Sequence, residues 1–409
     1  MRHRWLLAVV AVAAFGAAGV YWLLRPPEPL PDRMVLRLVD YDDLVGWREN
    51  DFGAALASFR RSCNRFSKLA ADRLLIHTGI AGHVRDWKPV CEALEGVGAD
   101  NSDTIRRYFE NWFAPLEIAN NDEPKGLFTG YYEPQLRGRQ RKHGRFAIPL
   151  YALPPELVMV DLGSFRDDLR GRRIAGHVVN GRLRPFASRA EIEAGALADR
   201  GLEIMWVDDP IDAFFLHVQG SGQVVLEDGE VTRVGYAGQN GHPYFAIGRE
   251  LINRGVLERR QVSLQTIRAW LEANPEQAAS IMNKNRSFIF FRRLTGDGPV
   301  GAFQEPLTPR ASLAVDRRYI PLGAPLWLET ALPSVDTDPD KDTIPWRQLV
   351  VAQDTGGAIR GIVRGDVFFG AGGEAEALAG RLKSEGRYFV LLPRAVVERG
   401  DPWSADAPR

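Results

Sequence analysis

The chain has 409 residues, of which 45% are hydrophobic, so it is long enough for two domains with substantial cores. Lysine plus arginine and aspartate plus glutamate each total 52, which makes the formal net charge zero. This balance excludes a global positive field of the kind that favours nucleic acid as a partner.

The N-terminus predicts a membrane anchor. Arg2 and Arg4 precede residues 5–24, WLLAVVAVAAFGAAGVYWLL, which carry no charge. A run of this length crosses the hydrocarbon core as one helix, and the arginines place its N-terminus in the cytoplasm. Residues 25–32 are proline-rich and predict a stiff spacer on the periplasmic side. A cleaved signal peptide is the alternative, because AAFGAAG offers small residues for cleavage.

The only two cysteines, Cys63 and Cys91, predict a disulfide, since an exported chain meets an oxidising compartment. Two buried free thiols are the alternative. No cysteine lies near residues 5–24, which excludes lipid attachment there. The seven histidines are scattered and form no HExxH or similar pattern, so nothing indicates a metal site.

Residues 50–120 predict helices, because apolar residues recur at spacings of three and four in DFGAALASFRRSCNRFSKLA and SDTIRRYFENWFAPL. Ser102 is the expected N-cap of the second of these helices. The aromatic side chains of this segment are expected in the core: Tyr108, Phe109, Trp112 and Phe113.

From residue 126 the pattern changes to short strands and turns, as in GLFTGYYEPQLRG and AGHVVNGRLRPF. Residues 211–241 predict a series of short strands with glycine turns. HPYFAIGRELINRG then predicts a helix ending at Gly255, and VSLQTIRAWLEANPEQAASIMNKN one or two more. A strand-rich region follows, with an acidic surface loop at 331–346 and a short helix at 373–386 that starts at GAGGEA.

Three aspartates in the C-terminal region lie beside turn-forming glycine or proline and next to apolar, strand-like runs: Asp316, Asp354 and Asp366. Apolar neighbours such as Val367 and Phe368 favour partial burial of Asp366. Burial raises the pKa of a carboxyl and keeps it protonated as a general acid. The alternative for Asp366 is a turn residue that caps a strand end.

Asp354 follows the apolar run LVVAQ and precedes Thr-Gly-Gly. Strand-Asp-Thr-Gly is also the local signature of aspartic proteases, whose chemistry needs two such aspartates that share a proton. A protease would therefore require a homodimer of this chain. A structural role is the alternative, in which the Asp354 carboxylate accepts N–H bonds in the glycine turn.

Neutral polar and aromatic side chains gather on three glycine-rich segments and suit a neutral sugar polymer. Gln219 and Ser221 are expected on a loop between two strands. Ordinary turns have the same composition, so a loop role without ligand stays open. The other members of the set are Thr129, Tyr131, Tyr132, Tyr236, Gln239, Asn240 and Tyr244.

Together these motifs resemble the membrane-bound lytic murein transglycosylase A family. The matching segments are GLFTGYYEP (126–134), FFLHVQGSG (214–222), VGYAGQNGHPY (234–244), NRSFIFFR (285–292) and the three-aspartate segment. The resemblance implies a mainly β, α+β fold, in which a double-psi β-barrel domain carries an inserted smaller β-domain. It implies cleavage of the MurNAc–GlcNAc bond of peptidoglycan with a 1,6-anhydro product, without metal or cofactor.

By this resemblance Asp366 is the catalytic residue, Asp354 and Asp316 support it, and Thr129, Tyr131, Gln219, Ser221, Tyr236 and Asn240 bind substrate. The expected domains are 1–32 (anchor or signal, and spacer), 33–136 (helical part of the barrel domain), 137–240 (inserted β-domain), 241–396 (barrel with the aspartates) and 397–409 (tail).

The expected partners are glycan strands, the inner membrane through residues 5–24, and proteins of cell-wall synthesis or division; nucleic acid is not expected. Family members are often outer-membrane lipoproteins, and this chain lacks the acylatable cysteine that they use. The alternative function is a non-catalytic, peptidoglycan-binding protein of expansin-like barrel type.

Overall fold

The computed structural model describes residues 31–98, 101–170, 172–296, 298–334 and 343–400, and the backbone of 404–406. The predicted anchor at residues 5–24 lies outside this range, as does most of the predicted spacer. Within the described residues, no helix has the length and apolar character needed to cross a bilayer. The anchor and the spacer therefore stay predictions.

Helices gather in three parts of the chain, and strands occupy most of the remainder. The α-helices of five or more residues are α1 (Gly53–Phe66), α2 (Val84–Leu94), α3 (Ser102–Trp112), α4 (Pro210–Gln219), α5 (Ile247–Asn253), α6 (Leu264–Ala273), α7 (Pro275–Met282), α8 (Gly373–Arg381) and α9 (Arg394–Glu398). The strands are β1 (Arg33–Leu38), β2 (Phe113–Asn120), β3 (Gly126–Glu133), β4 (Gln135–Arg139), β5 (Ile148–Tyr151), β6 (Val158–Asp161), β7 (Arg173–Val179), β8 (Arg182–Pro185), β9 (Glu203–Val207), β10 (Ser221–Leu226), β11 (Val231–Gln239), β12 (Ile289–Leu294), β13 (Ser312–Val315), β14 (Pro325–Pro333), β15 (Thr343–Asp354), β16 (Arg364–Ala371), β17 (Lys383–Pro393) and β18 (Ser404–Asp406).

The largest sheet has nine strands in the order β14-β15-β13-β16-β3-β17-β2-β1-β18. β14 also pairs with β17, so the first and the sixth strands of this order are hydrogen-bonded. β12-β11-β10-β4-β9-β5 form a six-stranded sheet, and β6-β7-β8 form a three-stranded one. The predicted α+β class with a majority of β-structure is confirmed.

The N-terminal helices pack on the large sheet through one apolar core that includes Phe59, Phe109 and Trp327. Cys63 of α1 is bonded to Cys91 of α2, which confirms the predicted disulfide. Helices 53–66, 84–94 and 102–112 confirm much of the predicted helical region, but its last eight residues form β2 instead. β2 lies between β1 and β17, and this sheet pairing overrides the helical pattern.

Two local predictions at α3 were wrong. Asn101 caps the helix, because its Oδ1 accepts a hydrogen bond from the Thr104 N–H at 3.1 Å, and Ser102 is the first helical residue. Trp112 is 37% exposed, whereas Tyr108, Phe109 and Phe113 are buried as predicted.

The prediction of short strands over 211–241 was wrong in its first part, because residues 210–219 form α4, whereas β10 and β11 confirm the rest. Asp209 caps this helix by accepting bonds from the Ile211 and Asp212 N–H groups, and Pro210 begins it. Gly220 ends it with a φ of 82°. Nearly every apolar residue of α4 is buried, so its sequence lacks the polar face by which a helix differs from a buried strand.

Further along the chain the predictions hold better. α5 is followed by Gly255 at φ 70°, and two helices, α6 and α7, come next as expected. The helix expected at 373–386 ends at Arg381, because β17 begins at Lys383. Of the acidic loop expected at 331–346, the first three residues belong to β14 and the last four to β15, and residues 335–342 lie outside the described range.

Candidate active site

Strand register brings the functional side chains together. Asp354 at the end of β15 pairs with Ala314 of β13, and Ala314 pairs with Asp366 of β16. Asp366 in turn pairs with Thr129 of β3. Residues directly opposite each other point to the same face of a sheet, so Asp354 and Asp366 share one face. Their Cα atoms are two strand spacings apart, which is about 10 Å. The small side chain of Ala314 lies between them.

Asp366 is held in a state that favours its protonated form. Its Oδ1 accepts a hydrogen bond from the Thr129 hydroxyl at 2.5 Å. Within the described part of the chain, its Oδ2 has no hydrogen-bond partner. Burial raises the pKa of Asp366 to about 6, against the opposing effects of Arg364 and Thr129. The side chain remains partly accessible at the cavity floor.

Arg364 lies two residues before Asp366 on β16. It donates to the Thr129 hydroxyl oxygen at 2.8 Å, and this leaves the Thr129 proton directed at Asp366. Arg364 also donates to the carbonyls of Leu127 and Gly365. The fixed guanidinium stabilises the Asp366 carboxylate once it forms. Burial of Asp366 still has the larger effect and favours the protonated form.

Asp354 has both carboxylate oxygens occupied. Oδ1 accepts bonds from the Ala302 and Thr355 N–H groups, each at 2.9 Å, and Oδ2 accepts one from the Tyr131 hydroxyl at 2.9 Å. Burial raises the pKa of Asp354, and these donors oppose that effect. Three donors directed at the two oxygens favour the ionised form, because that form accepts hydrogen bonds through both oxygens.

Asp316 has no exposed surface and lies outside the lining of the cavity that contains the other two aspartates. Its oxygens accept bonds from the Arg318 guanidinium, at 2.6 Å for the shortest, and from the Gly361 N–H at 3.0 Å. Burial of Asp316 opposes ionisation, but these donors outweigh it and lower the pKa. Asp316 is therefore ionised, and its carboxylate holds the 360–361 segment in place.

A cavity of about 300 Å³ opens over Asp354 and Asp366, and we name it the catalytic cavity. Of the predicted site residues, it is lined by Thr129, Tyr131, Gln219, Asp354 and Asp366. Gln219 is the last residue of α4 rather than part of a loop, and its Oε1 accepts a bond from the Tyr132 N–H at 3.1 Å. The structure thus brings five of the nine predicted residues into one lining.

The other predicted substrate ligands lie elsewhere. Asn240 is fully buried, and its amide bonds the Ala187 and Arg286 carbonyls and the Phe288 N–H. Its setting is that of a structural residue. Ser221 is the first residue of β10 rather than a loop residue, and Tyr236 is 46% exposed on β11; neither lines the catalytic cavity.

The sequence reasoning missed several residues of the lining. His217 of α4 is buried and neutral, since burial lowers its pKa well below the ordinary value. Its Nδ1 accepts a bond from the Ile289 N–H at 3.1 Å, so Nε2 carries the proton. A neutral donor in a polar cavity suits an uncharged ligand. Others missed were Ala314, Asn285, Ser287 and Arg364; the i, i+2 spacing of Arg364 and Asp366 was an available signal.

A buried arginine supports this wall of the cavity. Arg189 donates to the Asn285 and Ser287 carbonyls at 3.1 and 2.9 Å and pairs with Glu193 at 3.2 Å. Its guanidinium lies over the rings of Phe214 and Phe288, at 4.9 and 5.2 Å from their centres. It thereby joins α4 to the segment that leads into β12.

Two family models match the chain. The MltA specific insert domain matches residues 127–292, and the 3D domain matches residues 311–392. The second match contains all three aspartates, and the first contains Thr129, Tyr131, His217 and Gln219. The catalytic cavity is thus formed by residues of both matched segments.

Characterised proteins are similar over most of the chain. Membrane-bound lytic murein transglycosylase A of Vibrio cholerae is 33% identical, over 81% of this chain and 82% of the relative. The Escherichia coli protein of the same name is 36% identical over 64% of this chain, and the match spans 65% of its own length.

Solved structures agree with these matches. A membrane-bound lytic murein transglycosylase from Agrobacterium tumefaciens has a TM-score of 0.79 at 33% identity, covering 89% of this chain and 99% of that one. E. coli MltA with bound chitohexaose has a TM-score of 0.64 at 29% identity, covering 88% of this chain and 94% of that one.

Proposed function

The chain belongs to the membrane-bound lytic murein transglycosylase A family, and on this premise we propose that it is a lyase that cleaves the MurNAc–GlcNAc β-1,4 bond of peptidoglycan. The product is a glycan end with 1,6-anhydro-MurNAc. One observation carries the proposal: Asp366 lies at the floor of a cavity lined by neutral donors and acceptors, and its raised pKa of about 6 favours the acid.

In the first step, Asp366 gives its proton to the glycosidic oxygen as the bond to the leaving sugar breaks. Its Oδ2 is the oxygen for this transfer, because Oδ1 is occupied by Thr129. Arg364, which orients Thr129, stabilises the carboxylate that results. General acid catalysis of this kind contributes on the order of 10²–10⁴-fold to a rate.

In the second step, the Asp366 carboxylate takes the proton of the C6 hydroxyl as that oxygen attacks C1 of the same sugar. Proton and charge balance, because the acid is regenerated and no water is consumed. The enzyme accelerates this step by orientation: it holds the C6 hydroxyl against C1, and a well-oriented intramolecular attack has a lower barrier. His217, Gln219 and Tyr131 are the side chains that we assign to this task.

Asp354 does not act as a second base in this proposal. Hydrolytic glycosidases use a second carboxylate either as a nucleophile or to activate water. Both oxygens of Asp354 already accept bonds from Ala302, Thr355 and Tyr131. Asp354 instead orients Tyr131 and, as an anion, helps to keep the proton on Asp366. A single working carboxyl supports intramolecular attack over hydrolysis.

We further propose that six neighbouring strands of the large sheet form the double-psi barrel of the family. In sheet order they are β14, β15, β13, β16, β3 and β17. The additional β14–β17 pairing supports this arrangement. The expected insertion at 137–240 falls within the segment that matches the family's insert domain, and it pairs with β12 through β11. Attachment to the inner membrane by residues 5–24, with the rest in the periplasm, and association with cell-wall proteins remain parts of the proposal.

Digestion of purified sacculi followed by mass spectrometry tests the activity. We expect muropeptides that end in 1,6-anhydro-MurNAc, each lighter by one water than the hydrolytic product. Reducing MurNAc ends as the main product would contradict the mechanism and would require a second carboxylate. Tight binding to sacculi without any product would instead support the non-catalytic, expansin-like alternative.

A further inference from the structure

A second cavity, of about 550 Å³, adjoins the catalytic cavity, and we name it the aliphatic cavity. The two cavities share Thr129, Gly130, Val218, Gln219 and Tyr244 in their linings. Thr129 is the hydrogen-bond partner of Asp366. The aliphatic cavity therefore begins beside the hydrogen-bond partner of Asp366, within reach of a group that extends from a sugar bound in the catalytic cavity.

The floor of the aliphatic cavity is apolar, and it combines branched side chains of α4, α5 and residues 262–267 with the rings of Phe214, Phe215 and Tyr244. Apolar side chains carry no donors or acceptors for the hydroxyl groups of a sugar. Such a surface suits methyl and methylene groups instead. The branched residues of the floor are Val218, Ile247, Ile252, Val262, Leu264 and Ile267.

Four basic side chains also belong to the lining. It contains Arg249, Arg259, Arg381 and Lys383, and no aspartate or glutamate. Across the described ranges, none of these four cations has a carboxylate within 4.0 Å. The nearest acidic residues in sequence are engaged elsewhere, since Glu250 bonds Arg254 and Glu258 bonds Arg260. In a chain with no net charge, four unpaired cations around one cavity form a local anion-attracting field.

We propose that the aliphatic cavity binds the acidic stem peptide that peptidoglycan carries on muramic acid. Such a peptide presents alanine methyls and an aliphatic diamino-acid chain together with several free carboxylates, which matches an apolar floor with cations around it. This inference rests on the proposed function, because it requires a muramic acid in the catalytic cavity. It assigns peptide selectivity to residues outside the catalytic machinery.

The test uses three soluble glycans of equal length: one with the acidic peptide, one with its carboxylates amidated and one without peptide. The variant is Arg249→Glu combined with Arg381→Glu. The control is Arg107→Glu combined with Arg141→Glu, which makes the same change in net charge at exposed residues that line neither cavity. The measured quantity is the ratio of kcat/KM for acidic-peptide glycan to that for peptide-free glycan.

We expect the cavity variant to lower this ratio about tenfold, and the control by less than about twofold, because close charge pairs act over short range and distant ones are screened by salt. The amidated substrate keeps the methyl and methylene groups but lacks the carboxylates, so its advantage over the peptide-free glycan should be smaller and should not change in the cavity variant. An unchanged ratio, or an equal loss on all three substrates, would overturn the proposal. Equilibrium binding of the same glycans to Asp366→Asn is measured in parallel. Failure of the wild type to cleave any of them would refute the proposed activity, whereas the binding ratio would still decide whether the cavity selects the peptide.

Discussion

Asp316 and Asp366 lie at neighbouring strands of one sheet, yet their surroundings differ in what they do to a carboxyl. Asp316 is enclosed by the Arg318 guanidinium and the Gly361 N–H, and its pKa is lowered. Asp366 receives one hydroxyl bond, from Thr129, and burial raises its pKa to about 6. The number and charge of the donors, rather than the residue type or its place in a motif, separate a structural anion from a proton donor.

Asp354 lies between these two cases. It is deeply placed like Asp366, but three donors hold it, as donors hold Asp316. It borders the catalytic cavity and still has no free oxygen for chemistry. The comparison therefore predicts three different outcomes for the same Asp→Asn replacement.

The largest effect is expected for Asp366→Asn. An amide cannot donate and then accept the same proton, so kcat on soluble glycan should fall by about 10²–10⁴-fold, while the fold and glycan binding persist. Rates from product quantification, with circular dichroism as the folding control, measure this. If the variant keeps more than about a tenth of the wild-type rate, the catalytic role belongs to another residue.

The pH dependence of the rate should follow the Asp366 proton. The acid form is needed first, so kcat/KM should fall about tenfold per pH unit above pH 6, where Asp366 loses its proton. Arg364→Met should move this fall to higher pH, because the guanidinium opposes the effect of burial. A rate that stays constant from pH 6 to pH 9 would show that ionised Asp366 suffices.

The Asp→Asn replacement should change the free energy of unfolding with opposite signs at positions 316 and 366. Asp316→Asn loses a charge-assisted set of bonds and should cost about 2–4 kcal/mol of unfolding free energy at neutral pH. Because the folded pKa of Asp316 is lowered, this cost should shrink as the pH falls below about 4. Asp366 is costly to ionise in the folded state, so Asp366→Asn should gain stability relative to wild type as the pH rises from about 4 to 6.

Denaturant unfolding at several pH values checks both signs. An Asp316→Asn variant that is as stable as the wild type at neutral pH would remove the structural role. A difference between wild type and Asp366→Asn that does not change with pH would contradict the raised pKa.

The smallest effect on turnover is expected for Asp354→Asn. The amide can still accept a bond through one oxygen, but its NH₂ group faces a donor, which should cost about 2 kcal/mol of stability. Turnover should fall less than in Asp366→Asn. Tyr131→Phe removes the other partner of the same bond and serves as the control for stability, since its effect on turnover also includes the sugar contact assigned to Tyr131. Complete loss of turnover with an unchanged thermal melt would instead give Asp354 a direct catalytic role.

The sequence indicated that the aspartates lie in or at the ends of strands beside turns, because strand ends, glycine turns and apolar flanks are local features. It failed for α4, where an apolar run that is buried on nearly all sides has no distinguishing period. That error placed Gln219 in a loop and concealed His217. Asn240 was misjudged for another reason: its type and its glycine neighbours suit a binding loop, and only the fold shows that its amide is used internally.

The spacing of the carboxylates was not accessible from sequence at all. Asp354 and Asp366 are twelve positions apart in the chain, but what places them on one face is the insertion of β13 between their strands. The same non-local register puts Ala314 between them. Pairings between distant strands depend on the whole sheet, which a local pattern does not encode.

The most direct test of the account is a pH titration of the aspartate carboxyl carbons by NMR, with Asp366→Asn and Asp316→Asn used to assign the two signals. We expect Asp366 to titrate with a midpoint near pH 6. The ordinary value for aspartate is about 4, and Asp316 should titrate below it. A midpoint near pH 4 or lower for Asp366 would contradict the account, because the residue would then be an anion at neutral pH and unable to donate the first proton.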